Sequence, residues 1–350
     1  SDAKPFRLMC GGSAALAPRL DFVASLAMTL GQPCILLDVD AHRAGQRILA
    51  VRAVMPVRPG ALLRLRHARY LPGCHGPYGE ISHLAGLAVR AGHRPRPWRR
   101  GADEARAIEV DVPEGVDSIV LDYQWLGGQP AAYYPTPIEE RIVGVQWSNL
   151  LLYPEGHAAA DILVTPSLRL PDGFGWGGAL TLADPAEASD ANDGWLRFAA
   201  TDLATLLDSP IYGGRHHQAI ALDEPGTPGP ATLHLFQGVR NARPDERQIA
   251  AHRAVFAQAE RMFASRPWPR YALLVANLKG LDQDALEHFE SSEFSYAGDY
   301  LDAWEEAERN RSDVAHEVVH VWNGKWKRPA GLVPADFHTP VDADLLWVYE

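Results

Sequence analysis

The stretch Asp313–Trp322 reads D-V-A-H-E-V-V-H-V-W, and it decides how the rest of the chain is understood. His316 and His320 stand four residues apart, with Glu317 between them. On an α-helix, residues at that spacing share a face one turn from each other, so both imidazoles can reach a single ion. Glu317 then sits beside the ion, placed to take a proton from water. This is the H-E-x-x-H spacing of zinc hydrolases. Val314, Ala315, Val318, Val319 and Val321 give the triplet an apolar setting, in which imidazoles without partners would be costly. Read without chemistry, the same residues make an amphipathic helix carrying two satisfied histidines. A catalytic zinc takes three protein ligands and keeps one position open. Downstream, D-A-D-L-L-W-V-Y-E supplies Glu350 as the obvious third carboxylate.

The longer run His316–Pro329, H-E-V-V-H-V-W-N-G-K-W-K-R-P, followed by L-L-W-V-Y-E at Leu345–Glu350, resembles the M61 peptidases. These are the glycyl aminopeptidase family among the gluzincins. Trp322, Asn323, Lys325, Pro329, Leu346 and Trp347 fall in register with that family's H-E-(aromatic)-(aromatic)-H-x-W-N-x-K-x-x-x-P and L-W-x-x-E-G patterns. Val318 and Val319 stand where the family carries bulkier aromatics, a packing change that leaves the ligands alone. The resemblance implies Zn2+ held by His316, His320 and Glu350, with Glu317 as general base. It also implies an aminopeptidase acting on peptides with small N-terminal residues such as Gly or Ala. Leu286-Glu287-His288 stands where the family has G-G-L-E-H-x-x-S, with Asp284-Ala285 in place of the glycine pair. That position would set Glu287 at the substrate's α-ammonium, a task a carboxylate suits; otherwise Glu287 is a surface carboxylate.

Tyr271–Leu278, Y-A-L-L-V-A-N-L, reads as a buried strand. In thermolysin-like enzymes the matching strand is an edge that hydrogen-bonds the extended substrate, so Tyr271 and Leu278 are expected to bound the substrate-binding edge. Asp313 and Asp336 are the nearest candidates for fixing the imidazole tautomers.

Composition narrows the classes of partner. The chain has 350 residues, 47% hydrophobic and 22% charged, enough for two domains with cores of their own. Lys and Arg number 33 against 44 Asp and Glu, and a net charge of −11 argues against a nucleic-acid or anionic-membrane surface. Cys10, Cys34 and Cys74 are too few for a disulfide framework, although one Cys10–Cys34 or Cys34–Cys74 bridge is open. No apolar run reaches the roughly 18 residues of a membrane span.

Ser1-Asp2-Ala3 reads as a cloning remnant. The segment after it is either the remnant of a signal peptide or an N-terminal helix over Leu20–Leu30, so residues 1–32 leave cytoplasmic and exported locations both open. Residues 33–213 carry short β-type runs between Gly and Pro punctuation: Cys34–Val39, Arg47–Val54, Ala61–Arg66, Ile81–Val89, Ala107–Val112 and Ser118–Tyr123. They predict an antiparallel β domain. The loop Tyr70–Gly79 resembles the W-x-P-G-x-Y loop of the M61 N-terminal domain, and Asp202–Gly214 resembles its L-x-D-S-P-x-x-x-G join. His67, His75, His83 and His93 fall in separate loops and are not read as a metal cluster. Gly173, Gly175 and Gly178 match G-x-G-x-x-G but open no helix, so they read as a turn.

Residues 214–350 then carry strands His216–Leu222 and Ala231–Phe236 and an amphipathic helix Asp245–Ala264. The expected fold is multidomain: an N-terminal antiparallel β domain, then an α+β thermolysin-like (gluzincin) catalytic domain. The resemblance implies that this domain is incomplete at its C-terminus, because the family continues past the third ligand. Two other functions are compatible with the sequence, a gluzincin endopeptidase and a non-catalytic peptide-binding protein of degenerate peptidase fold.

Overall fold

A computed structural model describes residues 33–102, 104–127, 136–184, 193–239, 242–298, 300–305, 308–332 and 335–350. The reading of residues 1–32, and Cys10 with it, lies outside them. The first unit is built on a large sheet whose spatial order is Trp195–Arg197, Leu163–Arg169, Cys34–Asp40, Ile48–Pro56, Ser118–Leu126, Leu84–Ala91 and Arg94–Arg96. A smaller sheet, Leu152–Pro154, Leu62–His67, Ala107–Asp111 and Arg99–Arg100, closes one of its faces. Leu37, Val51, Leu121, Leu65, Ile108 and Trp147 meet in one shared core.

The expected all-antiparallel arrangement is corrected at one pair: Cys34–Asp40 and Leu163–Arg169 run parallel, with Cys34 opposite Leu163. A parallel pair needs a long crossover instead of a hairpin, and here most of the unit's other strands lie between the two partners. Two other stretches, Ile81–His83 and Gly175–Gly178, differ from their sequence reading. Ile81–His83 is a 3-10 turn ahead of strand Leu84–Ala91. Gly175–Gly178 is a strand, paired with Ile211–Gly214, and not a turn. A Cβ at Gly177 would lie 2.4 Å from the His234 ring, so the glycines serve a close approach between sheets.

Strand Ile211–Gly214 belongs to the first unit's sheets, and His216–Ala221 opens another. That sheet runs His216–Ala221, Ala231–Gln237, Tyr271–Asn277, Ser291–Tyr296, Asp284–Glu287. The helix Glu246–Phe263 packs on it and starts with a capping box: Asp245 accepts from the Gln248 N–H, and the Gln248 side chain accepts from the Asp245 N–H. Tyr271–Asn277 pairs in parallel with strands on both sides, and all its residues are buried, which explains its unbroken apolar run. It is therefore the central strand. The expectation that Tyr271 and Leu278 bound a substrate-binding edge is corrected, since a strand hydrogen-bonded on both sides has no edge to offer. Tyr271 points into the core with its hydroxyl against Ser292, and Leu278 is equally buried. The free edge beside the helix Glu308–Val319 is Asp284–Glu287.

Cys34 and Cys74 are both buried free thiols, so the Cys34–Cys74 bridge is not formed. Among the described residues no helix is long and apolar enough to cross a membrane.

Candidate metal centre

The helix Glu308–Val319 is anchored by one apolar face. Val314, Val318 and Val321 are buried in the second core at helical spacing. Trp322 stacks on Phe263 at 4.7 Å, meets Trp268 edge-on at 5.0 Å, and donates from Nε1 to Ser265 Oγ at 2.9 Å. This packing sets the rotation of the helix and leaves His316, Glu317 and His320 together beside the free edge. Their ligand atoms lie within 4.8 Å of one another. His316 Nε2 and His320 Nε2 are 3.0 Å apart. Glu350 Oε2 comes to 3.3 Å from the first and 3.5 Å from the second.

His320 Nδ1 donates to the carbonyl oxygen of Asn323 at 3.1 Å, which leaves Nε2 as a bare lone pair. This corrects the expectation that Asp313 or Asp336 fixes the tautomer. Asp313 accepts from Gln283 at 2.9 Å, and Asp336 accepts the backbone N–H groups of His338 and Thr339. Neither is bonded to the His316 or His320 ring; the imidazole near Asp336 is that of His338.

Two imidazole nitrogens and a carboxylate oxygen thus converge as acceptors, the donor set of a zinc site. The surrounding charge fits a cation as well. Glu287, Glu317 and Glu350 crowd the site, and its buried lysine, Lys325, is engaged by Asp208 at 2.9 Å. Glu317 is buried, which together with the nearby carboxylates of Glu287 and Glu350 pushes its carboxyl up to about 9. A divalent ion held by the two histidines and Glu350 would oppose that shift.

Glu287 closes the edge strand and is 4% exposed, so it is no surface carboxylate. Its Oε1 accepts from the Tyr349 hydroxyl, and Lys325 Nζ is 4.0 Å away. The Tyr349 ring reaches this place because residue 324 is glycine: a Cβ there would sit 2.5 Å from the ring, and its backbone has φ of 138°. Behind Glu287 lies a buried polar cluster. His288 Nδ1 donates to Asp208 at 2.9 Å and Nε2 faces Glu293 at 3.3 Å, while Glu293 also accepts from Tyr212 at 2.9 Å and from Gln146. Burial opposes charge on His288, but the hydrogen bonds to Asp208 and Glu293 outweigh it and lift the imidazole to about 9. Burial raises Asp208, but the Lys325 ammonium and His288 outweigh it and hold it well below the usual carboxylate range.

The first unit completes the site. Leu71-Pro72-Gly73-Cys74 is a turn closed by Cys74 N–H to Leu71 O at 3.2 Å, with Gly73 at φ 78° as a type II turn requires. It presses on the edge strand so closely that a Cβ on Gly73 would lie 2.5 Å from Leu286 Cδ1 and 3.0 Å from Glu287 Oε2. The next residue but one, His75, reaches Glu350: its Nε2 is 3.1 Å from Oε1.

A model of the peptidase M61 N-terminal domain matches residues 36–215, and a model of the M61 glycyl aminopeptidase matches residues 309–350. The chain belongs to the M61 peptidase family. Among solved structures, an aminopeptidase N family protein from Idiomarina loihiensis superposes with a TM-score of 0.75 at 17% identity, over 90% of this chain. The M61 chain spans about half, 52%, of that protein's length. An M1 zinc metallopeptidase from Deinococcus radiodurans is more distant, with a TM-score of 0.47, 15% identity and coverage of 87% of this chain and 65% of its own. No curated protein matches the sequence.

In this M61 chain a cavity of about 560 Å³ opens between the two units, beside the candidate metal centre and not at it. His75, Lys325 and Tyr349 form the wall between them, and Leu71, Phe289 and Phe337 line its apolar part. His75, Asp208, Asn323 as a tautomer partner, and Tyr349 are all site residues that sequence reading missed. Two signals were present. The last position of the W-x-P-G-x-Y pattern counts onto His75, and Asp208 is the acid of the D-S-P join.

Proposed function

We propose that this protein is a zinc-dependent aminopeptidase. The observation that carries the reading is the convergence of His316 Nε2, His320 Nε2 and Glu350 Oε2 within 3.5 Å, with Glu317 alongside. His316, His320 and Glu350 would hold Zn2+. When bound, the ion supplies Lewis-acid polarisation of a carbonyl and makes water acidic enough to act near neutral pH. Glu317 accepts the proton from that water and passes it to the leaving amine. The backbone of Asp284–Glu287, free on one side, aligns an extended peptide as an added strand. Glu287, at the end of that strand, receives the peptide's α-ammonium. The Leu71–His75 turn stands across the strand's end at Glu287, which favours a substrate that terminates there over one that runs through. A preference for small first residues, Gly or Ala, follows from the family resemblance.

The test is metal content, with hydrolysis of free and N-acetylated peptides by the wild-type protein beside Glu317→Gln. Bound zinc and cleavage of free peptides alone support the reading. Glu317→Gln should keep its zinc and lose about 10²- to 10⁴-fold in rate, the range of a general base. Equal cleavage of acetylated peptides would mean an endopeptidase. A protein that takes up no zinc would be the non-catalytic peptide binder.

A further inference from the structure

His75 belongs to the first unit, yet its imidazole lies against the candidate metal centre of the second. Its Nε2 is buried, with Glu350 Oε1 3.1 Å away and Glu287 Oε1 3.8 Å away. The ring also meets Tyr349 edge-on at 4.5 Å, which fixes its direction. Without the Glu350 carboxylate the buried Nε2 would be left unpartnered, which is unfavourable by about 1–3 kcal/mol. The backbone of His75 is in the left-handed region, at φ 49°, which few non-glycine residues adopt. Strain kept in place by surrounding packing is a pointer to function.

The geometry around Glu350 gives that function a form. The carboxylate has one oxygen, Oε2, turned to both imidazoles and the other, Oε1, turned to His75. A carboxylate that ligates through one oxygen is steadied when its second oxygen accepts a hydrogen bond, and such supporting partners set metal affinity. We propose that His75 is a positioning residue of the metal centre: its Nε2–H holds Glu350 Oε1 so that Oε2 stays aimed at the site of the ion. Zinc affinity then depends on a loop of the N-terminal unit, and the turn at Pro72-Gly73 sets both the end of the substrate edge and the orientation of the third ligand. The inference rests on the zinc-site reading above and adds a residue to it.

The experiment compares zinc dissociation constants of the metal-free wild-type protein, His75→Leu and His75→Gln, by competition with a chromophoric chelator. Cobalt(II) absorption spectra and metal-free melting temperatures are recorded alongside. The leucine variant should bind zinc about 10- to 100-fold more weakly and shift the cobalt bands. Glutamine, which keeps an N–H donor near the same place, should restore most of the affinity. Its metal-free melting temperature and that of the leucine variant should match the wild type. Wild-type affinity in the leucine variant overturns the inference, as does a glutamine variant no better than leucine. A wild-type protein that binds no zinc overturns the function reading and this inference together, which separates the two failures.

Discussion

Asn323 ties His320 to the turn that carries Glu350. Its carbonyl oxygen accepts the Nδ1 proton of His320 at 3.1 Å, and its side-chain Nδ2 donates to the carbonyl oxygens of Val348 and Tyr349 at 2.9 and 3.0 Å. One residue therefore sets the tautomer of His320 and the position of Glu350. Asn323→Ala keeps the backbone acceptor and removes the tie to the turn. Zinc affinity should fall by about tenfold or more, measured by chelator competition, with the far-UV spectrum unchanged. Unaltered affinity would show that the turn is held by other contacts.

Lys325 and Asp208 form a buried ion pair across the joint between the two units, at 2.9 Å with side chains 5% and 11% exposed. Removing one partner strands the other charge in the interior. Lys325→Met should cost about 3–5 kcal/mol in urea unfolding. His288 remains as a second donor to Asp208, so a loss well below that range would assign most of the stabilisation to the imidazole.

His288 makes the same joint sensitive to pH. Its folded pKa is raised from 6.5 to about 9, so its contribution is complete below 6.5 and is lost as pH rises through about 9. Asp208 is lowered from 3.8, so its contribution is present above that value and is lost in stronger acid. Urea midpoints should be level below about pH 6.5, fall between about 6.5 and 9, and level off above 9. His288→Gln should be less stable at pH 7 and lack that alkaline drop. The same drop in both proteins would place its origin elsewhere.

Gly73 lets the N-terminal turn touch the edge strand Asp284–Glu287. Alanine there meets Leu286 at 2.5 Å while forced to a φ of 78°. Gly73→Ala should cost at least about 1–2 kcal/mol from the left-handed backbone alone. It should also raise KM for free peptides by displacing Glu287. A variant with wild-type KM and a lowered melting temperature would confine the turn to a structural role.

Local chemistry made much of this protein legible from the residues alone. The His316–His320 spacing brings two imidazoles and Glu317 together because one helical turn is a local geometry. Asp245 and Gln248 start a helix by satisfying backbone groups three residues apart, and Pro72-Gly73 announces a turn through its own dihedral limits. Strands such as Cys34–Asp40 and Ile48–Pro56 show in the same way, by apolar runs between breakers.

What remained hidden is everything that depends on which distant segment arrives next to which. The run Tyr271–Asn277 is apolar whether it has one neighbour or two, so only the paired sheet shows that it is central and that Asp284–Glu287 is the edge. His75 and Glu350 come from opposite ends of the described chain, and Asp208, His288 and Lys325 from three separate segments. No periodicity links such residues. Their meeting is set by the packing of two cores against each other; the local patterns around His75 and Asp208 mark those residues without saying what they meet.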